Sequence, residues 1–181
     1  MTPRLKRLFI AVIVIQVVFL LGLVGYRESI LIGGRTAVLK TVPVDPRDLF
    51  KGEYVTLRYE ISTIDRSPNT AIGKRHRLQG GFSEGDTVYV GLHLPGADQF
   101  EVQFAQTGKP ANNADLFIKG RVISKVGETI TVEYGIEQYF IPEGRGLEIE
   151  QADDVKVRVK INRSGTAAIE TLIVDGEDWR P

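Results

Sequence analysis

EYVTLRYEI, residues Glu53 to Ile61, alternates without a break: Val55, Leu57, Tyr59 and Ile61 share one face, and Tyr54, Thr56, Arg58 and Glu60 the other. A period of two marks a strand with one buried face. The same period returns in Val88, Val90, Leu92 and Leu94, and then in Phe100, Val102 and Phe104. Leu116, Ile118, Val122 and Val126 lead to Gly127-Glu128, a hairpin turn from which Ile130, Val132 and Tyr134 come back. In Val155, Val157, Val159 and Ile161 the apolar face is matched by a wet face of Lys156, Arg158 and Lys160. Asn162 to Gly165 then turns the chain into a last strand around Ala167 to Val174. About eight short strands divided by turn residues predict an all-β domain, a small antiparallel barrel or sandwich rather than a βαβ fold. Only Gly144 to Ala152 has the look of a helical turn. Ser62 to Asp86 is too long for an ordinary connection and is expected to be a functional flap or a mobile loop.

Upstream the pattern changes. Leu8 to Val24 is LFIAVIVIQVVFLLGLV, with Gln16 its one strongly polar residue, and counting on to Tyr26 gives 19 residues. At about 1.5 Å per residue such a helix nearly crosses a hydrocarbon core of about 30 Å. Lipid offers no partners to backbone amides, so the segment must be helical. Arg4, Lys6 and Arg7 precede it, whereas Arg27 beyond it is offset by Glu28, which keeps the N-terminus in the cytoplasm. The expected organisation is a cytoplasmic N-terminus over residues 1–7, a transmembrane anchor in contact with lipid over 8–26, a linker over 27–34 and an extracytoplasmic β domain over 35–181. A cleaved signal peptide is the rival, but its apolar core is usually shorter, and a cut after Gly25 would leave Leu23 where a small residue is preferred.

The 23 basic and 23 acidic residues balance, and 20 of the basic ones follow the anchor, so the domain is mildly acidic. That leaves no basic footprint for nucleic acid. With no cysteine, disulfides, thiolate metal sites and cysteine nucleophiles are excluded. The densest stretch is PVDPRDLFKGEYVTLRYEI, from Pro43 to Ile61. On a structural reading, Pro43 and Pro46 stiffen a turn, Asp45 and Asp48 cap its amides, and Gly52 takes a conformation closed to other residues. On a functional reading, Asp45, Asp48 and Glu53 converge with Tyr54 or Arg58 on a binding site. Alternation puts Glu53 on the face of Leu57 and Tyr59, so one strand cannot present Glu53 and Tyr54 side by side.

The run Gly52-Glu53-Tyr54-Val55-Thr56-Leu57-Arg58-Tyr59 resembles the signature of the GDYXXLXY family of bacterial proteins, with Glu53 where the name has Asp. The lead-in VDPRDLFKG, the run Tyr139-Phe140-Ile141-Pro142-Glu143-Gly144 and the closing Val174-Asp175-Gly176-Glu177 resemble the family too. The resemblance implies a protein anchored in the bacterial cytoplasmic membrane, of uncharacterised role, found alongside multi-pass membrane proteins. It implies a membrane partner and supplies no reaction. The motif residues Asp45, Asp48, Gly52, Glu53, Tyr54, Leu57, Arg58 and Tyr59 are then the candidate interface.

Other constellations are weaker. Gly85-Asp86 echoes Gly52-Glu53, as two turn-to-strand entries would. A layout of anchor plus extracytoplasmic β domain resembles type I signal peptidases, but no serine in a proline-braced motif follows the anchor, since Ser29 precedes Ile30 and Leu31. His76 and His93 lack further ligands at zinc spacing. Glu143, Glu148, Glu150, Asp153 and Asp154 do not follow the calcium-loop pattern and suit a solvated face better than a cation site. Lys74, Arg75, His76 and Arg77 form a basic run that suits a wet loop, or anionic headgroups if it lies near the membrane. No catalytic residue and no cofactor is therefore expected. Partner binding is the leading expectation, a small-ligand or cation sensor the alternative, and a hydrolase using acidic residues the third.

Overall fold

In the computed structural model, residues 3–42, 54–65, 77–79, 81–94, 100–110, 116–142, 144–145, 148–149 and 151–180 are described. The apolar segment forms one helix, α1 (Pro3–Gly33), 31 residues long. It is long and apolar enough to cross a membrane. At about 1.5 Å per residue it is some 46 Å long, more than a hydrocarbon core of about 30 Å requires. The helix therefore carries on through residues 27–33, where a linker is expected from sequence. Ile30, its one buried residue, seats this last part on the β domain. The Gly34 amide closes the helix by donating to Ile30 O (2.9 Å), and a side chain at Gly34 would crowd Lys160 and the Ile161 amide at 3.0 Å.

Thirteen strands follow among the described residues, more than the eight or so expected: β1 (Arg35–Val42), β2 (Tyr54–Thr56), β3 (Arg58–Tyr59), β4 (Thr63–Asp65), β5 (Arg77–Gln79), β6 (Thr87–His93), β7 (Glu101–Gln106), β8 (Leu116–Val126), β9 (Thr129–Glu133), β10 (Gln138–Phe140), β11 (Val155–Ile161), β12 (Ala167–Val174) and β13 (Glu177–Asp178). One sheet runs β13-β12-β11-β1-β3, a second β4-β9-β8-β6-β7-β5, and β10-β2 form a ribbon. All pairings are antiparallel except β5 with β7. Together they make a nearly closed, barrel-like wall, as the alternating sequence predicts. Backbone bonds tie the two sheets together, from Phe100 N to Val38 O (2.9 Å) and from Lys119 N to Gly165 O (2.8 Å). The core takes Leu39, Tyr59, Ile64, Ile118, Val157 and Leu172, each essentially inaccessible.

Three departures have local causes. The Ser62–Asp86 stretch contains β4 and β5, so it is partly built into the second sheet rather than wholly a loop. In β7, pairing slips between Gly91↔Phe104 and Leu92↔Val102, so Gln103 is an extra residue. Such a bulge reverses the facing beyond it, and Phe104 lies over Gly91 while Ala105 joins Val102 in the core. A second bulge, at Ile123 between Val122↔Val132 and Ser124↔Thr131, turns Val126 out of the core face it was expected to share with Val122. Gly127, with φ of +60°, then leads the expected two-residue turn.

Candidate functional site

The alternating run at Val55 to Ile61 keeps its faces. Val55, Leu57, Tyr59 and Ile61 are buried, and Thr56, Arg58 and Glu60 are exposed. It is not one strand, however. At Leu57 it changes partners, β2 pairing with β10 and β3 with β1, and Glu60–Ser62 tightens into a 3-10 turn. The Leu57 amide, at the changeover, donates to Glu137 O (2.7 Å).

Two buried tyrosines lock this crossing. Tyr59 donates its hydroxyl to Ile136 O (2.5 Å), and Tyr134 donates its own to Ile61 O (2.6 Å). The Glu137 carboxylate accepts the Tyr134 amide (2.5 Å). Burial pushes both phenols well above their ordinary ionisation range, and the negative charge of Glu137 pushes in the same direction. Both hydroxyls therefore remain neutral donors, which their carbonyl partners require.

The register Gln138↔Thr56, Tyr139↔Val55 and Phe140↔Tyr54 joins the two sequence runs that carry the family resemblance. Directly opposed residues share a face. Tyr139 and Val55 point to the core, whereas Thr56, Gln138 and Phe140 lie outward, Phe140 with 72% of its surface exposed. Beneath the inner face, the Tyr139 ring meets the Trp179 ring edge-on, with centroids 6.1 Å apart. The Arg145 guanidinium lies 5.0 Å over Trp179 and is held by Glu148 at 2.7 Å. Hydrogen bonding to Glu148 raises the Arg145 pKa and lowers that of Glu148. The Asp175-Gly176 turn, with φ of 49° and 90°, brings Trp179 back to this place.

A cleft of about 210 Å³ separates the ribbon from the helix. Its walls come from Tyr26, Arg27 and Ile30 of α1, from Gly135, Ile136 and Gln138, and from Thr166 with the first residues of β12. Gln138 thus belongs both to the outer face of the ribbon and to the junction with α1.

Of the candidate interface residues, Asp45, Asp48, Gly52 and Glu53 lie outside the described residues, as does the Tyr54 side chain. Leu57 and Tyr59 are core residues, and Arg58 is exposed. Gly85-Asp86 forms a turn entering β6, with φ of +90° at Gly85 and the Asp86 carboxylate accepting the Ser83 amide at 2.8 Å. Within the acidic cluster, Glu148 serves Arg145, Asp154 pairs with Lys156 at 3.0 Å, and the Asp153 and Asp154 amides are held by Asp175. Glu143 and Glu150 lie outside the described residues, as do Lys74 to His76 and the Arg77 side chain. Among the described residues no three His, Cys, Asp or Glu side chains gather closely enough to hold a metal.

Sequence reasoning missed Tyr134, Glu137, Arg145 and Trp179 as parts of this assembly. Trp179 carried a signal, being the single tryptophan. The others become visible only once β10 is paired with β2. No curated protein and no solved structure matches the chain significantly. The model of the family described as GDYXXLXY protein matches residues 16–172, most of the length, and the chain therefore belongs to the GDYXXLXY family.

Proposed function

We propose that this is a protein of the bacterial cytoplasmic membrane, anchored by α1 with its N-terminus inside, whose extracytoplasmic β domain binds or stabilises a multi-pass membrane protein through the outer face of the β2–β10 ribbon. The observation that carries this reading is the position of Gln138, shared by that face and by the cleft against α1. Phe140 is two residues further along, so the family's two motif runs present an exposed aromatic close to the point where the anchor enters the domain. Thr56, opposite Gln138, and Arg58, two residues further along the chain, add exposed polar groups to the same run. An aromatic centre with a polar rim is the usual make-up of a protein interface.

The helix adds support. It passes without a break from the apolar segment to the buried Ile30, and β1 begins two residues after the helix ends, so no long linker separates the apolar helix from the domain. The basic residues before the span, Arg4, Lys6 and Arg7, set the orientation.

The test is site-specific photocrosslinking in intact membranes. A photoreactive residue at position 140 is compared with one at position 126, where Val126 is equally exposed but far along the second sheet in register. A multi-pass protein captured from 140, not from 126, and lost with Arg58→Glu would support the reading. Capture of nothing but lipid from position 140 would count heavily against it.

A further inference from the structure

The cleft at the junction of helix and domain suits a phosphate-bearing group. The charges that flank the apolar stretch of α1 are Arg7 and Arg27, 20 residues apart. At about 1.5 Å per residue they stand some 30 Å apart, the thickness of a hydrocarbon core. If Arg7 is at one surface, Arg27 is at the headgroup level of the other. The cleft opens there, lined on the helix side by Tyr26, Arg27 and Ile30.

Its chemistry is two-sided. Arg27, Gln138 and Thr166 supply polar groups, and Arg27 is the one charged residue in the lining. Glu28 follows it in sequence, but adjacent residues on a helix do not face each other. Ile30, Ile136 and Ile169 form an apolar wall, and the small residues Gly135, Ala167 and Ala168 leave the space open. At 210 Å³ the cleft is below the roughly 300–1,000 Å³ of sites for drug-sized ligands. A planar guanidinium that binds phosphate oxygens in pairs, beside an apolar wall, matches a phosphate attached to the start of acyl chains.

We propose that this cleft binds the phosphate of an anionic phospholipid headgroup, with Arg27 as its charged contact and Ile30, Ile136 and Ile169 covering the glycerol and first methylenes. A free phosphate shares the polar half of this chemistry and lacks the apolar half. The proposal rests on α1 being a membrane anchor and is independent of any protein partner.

The experiment uses the full chain in a non-ionic detergent, titrated with short-chain phosphatidylglycerol, with inorganic phosphate and with a short-chain diacylglycerol that carries no phosphate. Wild type is expected to bind phosphatidylglycerol saturably. Arg27→Gln should weaken binding at least about 10-fold, Arg27→Lys should restore part of it, and Ala167→Leu should abolish it by filling the cleft while leaving the charge. Trp179 emission checks that each variant is folded. Inorganic phosphate binding as tightly as the lipid, with the same dependence on Arg27, would keep the anion site and overturn the lipid as its ligand. Equal binding of diacylglycerol, or binding unchanged in both Arg27→Gln and Ala167→Leu, would overturn the site itself. Flotation of wild type and Arg27→Gln with liposomes separates the two premises. If neither floats, the anchor fails and the proposal with it; if both float and Arg27 has no effect on binding, only the site fails.

Discussion

Tyr59→Phe removes one oxygen atom from the centre of the motif and leaves its shape intact. The Tyr59 ring is fully buried and its hydroxyl is the donor to the buried Ile136 carbonyl. Stranding a buried acceptor costs about 1–3 kcal/mol, so the variant should be less stable by that amount at pH 7. The pH dependence is more diagnostic. The folded-state pKa of Tyr59 is raised above its ordinary value of 10 by burial and by Glu137. A raised pKa contributes stability that is whole below the unfolded value and is lost as pH climbs from there towards the folded value. At pH 11 the unfolded tyrosine gains about 1.4 kcal/mol by ionising, and the folded one gains almost nothing. Phenylalanine cannot ionise, so the gap between wild type and Tyr59→Phe should narrow by about that amount between pH 7 and pH 11. Tyr134 shifts in the same sense but is present in both proteins and cancels. Urea unfolding of the full chain in detergent, followed by the emission of the single tryptophan, Trp179, measures the gap at each pH. A gap that stays constant or widens with pH would show that the Tyr59 hydroxyl is not a buried neutral donor.

Three further substitutions probe other parts of the wall. Leu57→Asp places a carboxylate at a position 4% exposed and should prevent folding, whereas Leu57→Met should cost less than about 1.5 kcal/mol; near-ultraviolet circular dichroism distinguishes them. Gly91→Val should be strongly destabilising because its side chain would overlap the Phe104 ring, and Phe104→Ala in the same chain should recover part of the loss, a coupling read by a double-mutant cycle of urea midpoints. Arg145→Gln withdraws the guanidinium from above Trp179, so its emission should shift and become easier to quench. Arg145 also holds the Glu148 pKa below the ordinary carboxylate range. The contribution of that pair is present at neutral pH and lost as pH falls through the lowered value. The acid transition of Trp179 emission should therefore move to higher pH in Arg145→Gln.

The strand pattern was legible because burial on one face of a sheet is written directly as alternation. Val157, Val159 and Ile161 go inside, and Lys156, Arg158 and Lys160 sit between them, as read. Two of the errors fall where one inserted residue reverses the pattern. Nothing in the type of Gln103 or Ile123 marks it as a bulge, yet each sends a downstream apolar residue, Phe104 or Val126, to the opposite face. The end of the helix was hidden for a different reason. Residues 27–33 open with the charged Arg27 and Glu28 and end in Gly33, and their helicity rests on continuity with the apolar span and on the seat of Ile30 against the domain. The site was legible only in part. The two motif runs were recognised separately, but Gln138 lies 82 positions after Thr56, and no local pattern announces that they pair.

That pairing decides what the motif can be for. Leu57 is tied to Glu137 through its amide, Tyr59 to Ile136 through its hydroxyl, and Val55 lies opposite Tyr139. The spaced leucine and tyrosine of the signature are thus the inner half of a crossing that fixes the 136–139 segment, and that segment in turn forms one wall of the cleft against α1. A disruptive substitution at Leu57 or Tyr59 would impair any function by loosening the crossing, and so would identify no contact surface. Thr56, Arg58, Gln138 and Phe140 are outside the core, and changes there should leave the urea midpoint nearly unmoved. If recognition lies on this face, loss of partner capture with stability unchanged belongs to these four positions; the inner positions can lose capture only together with stability.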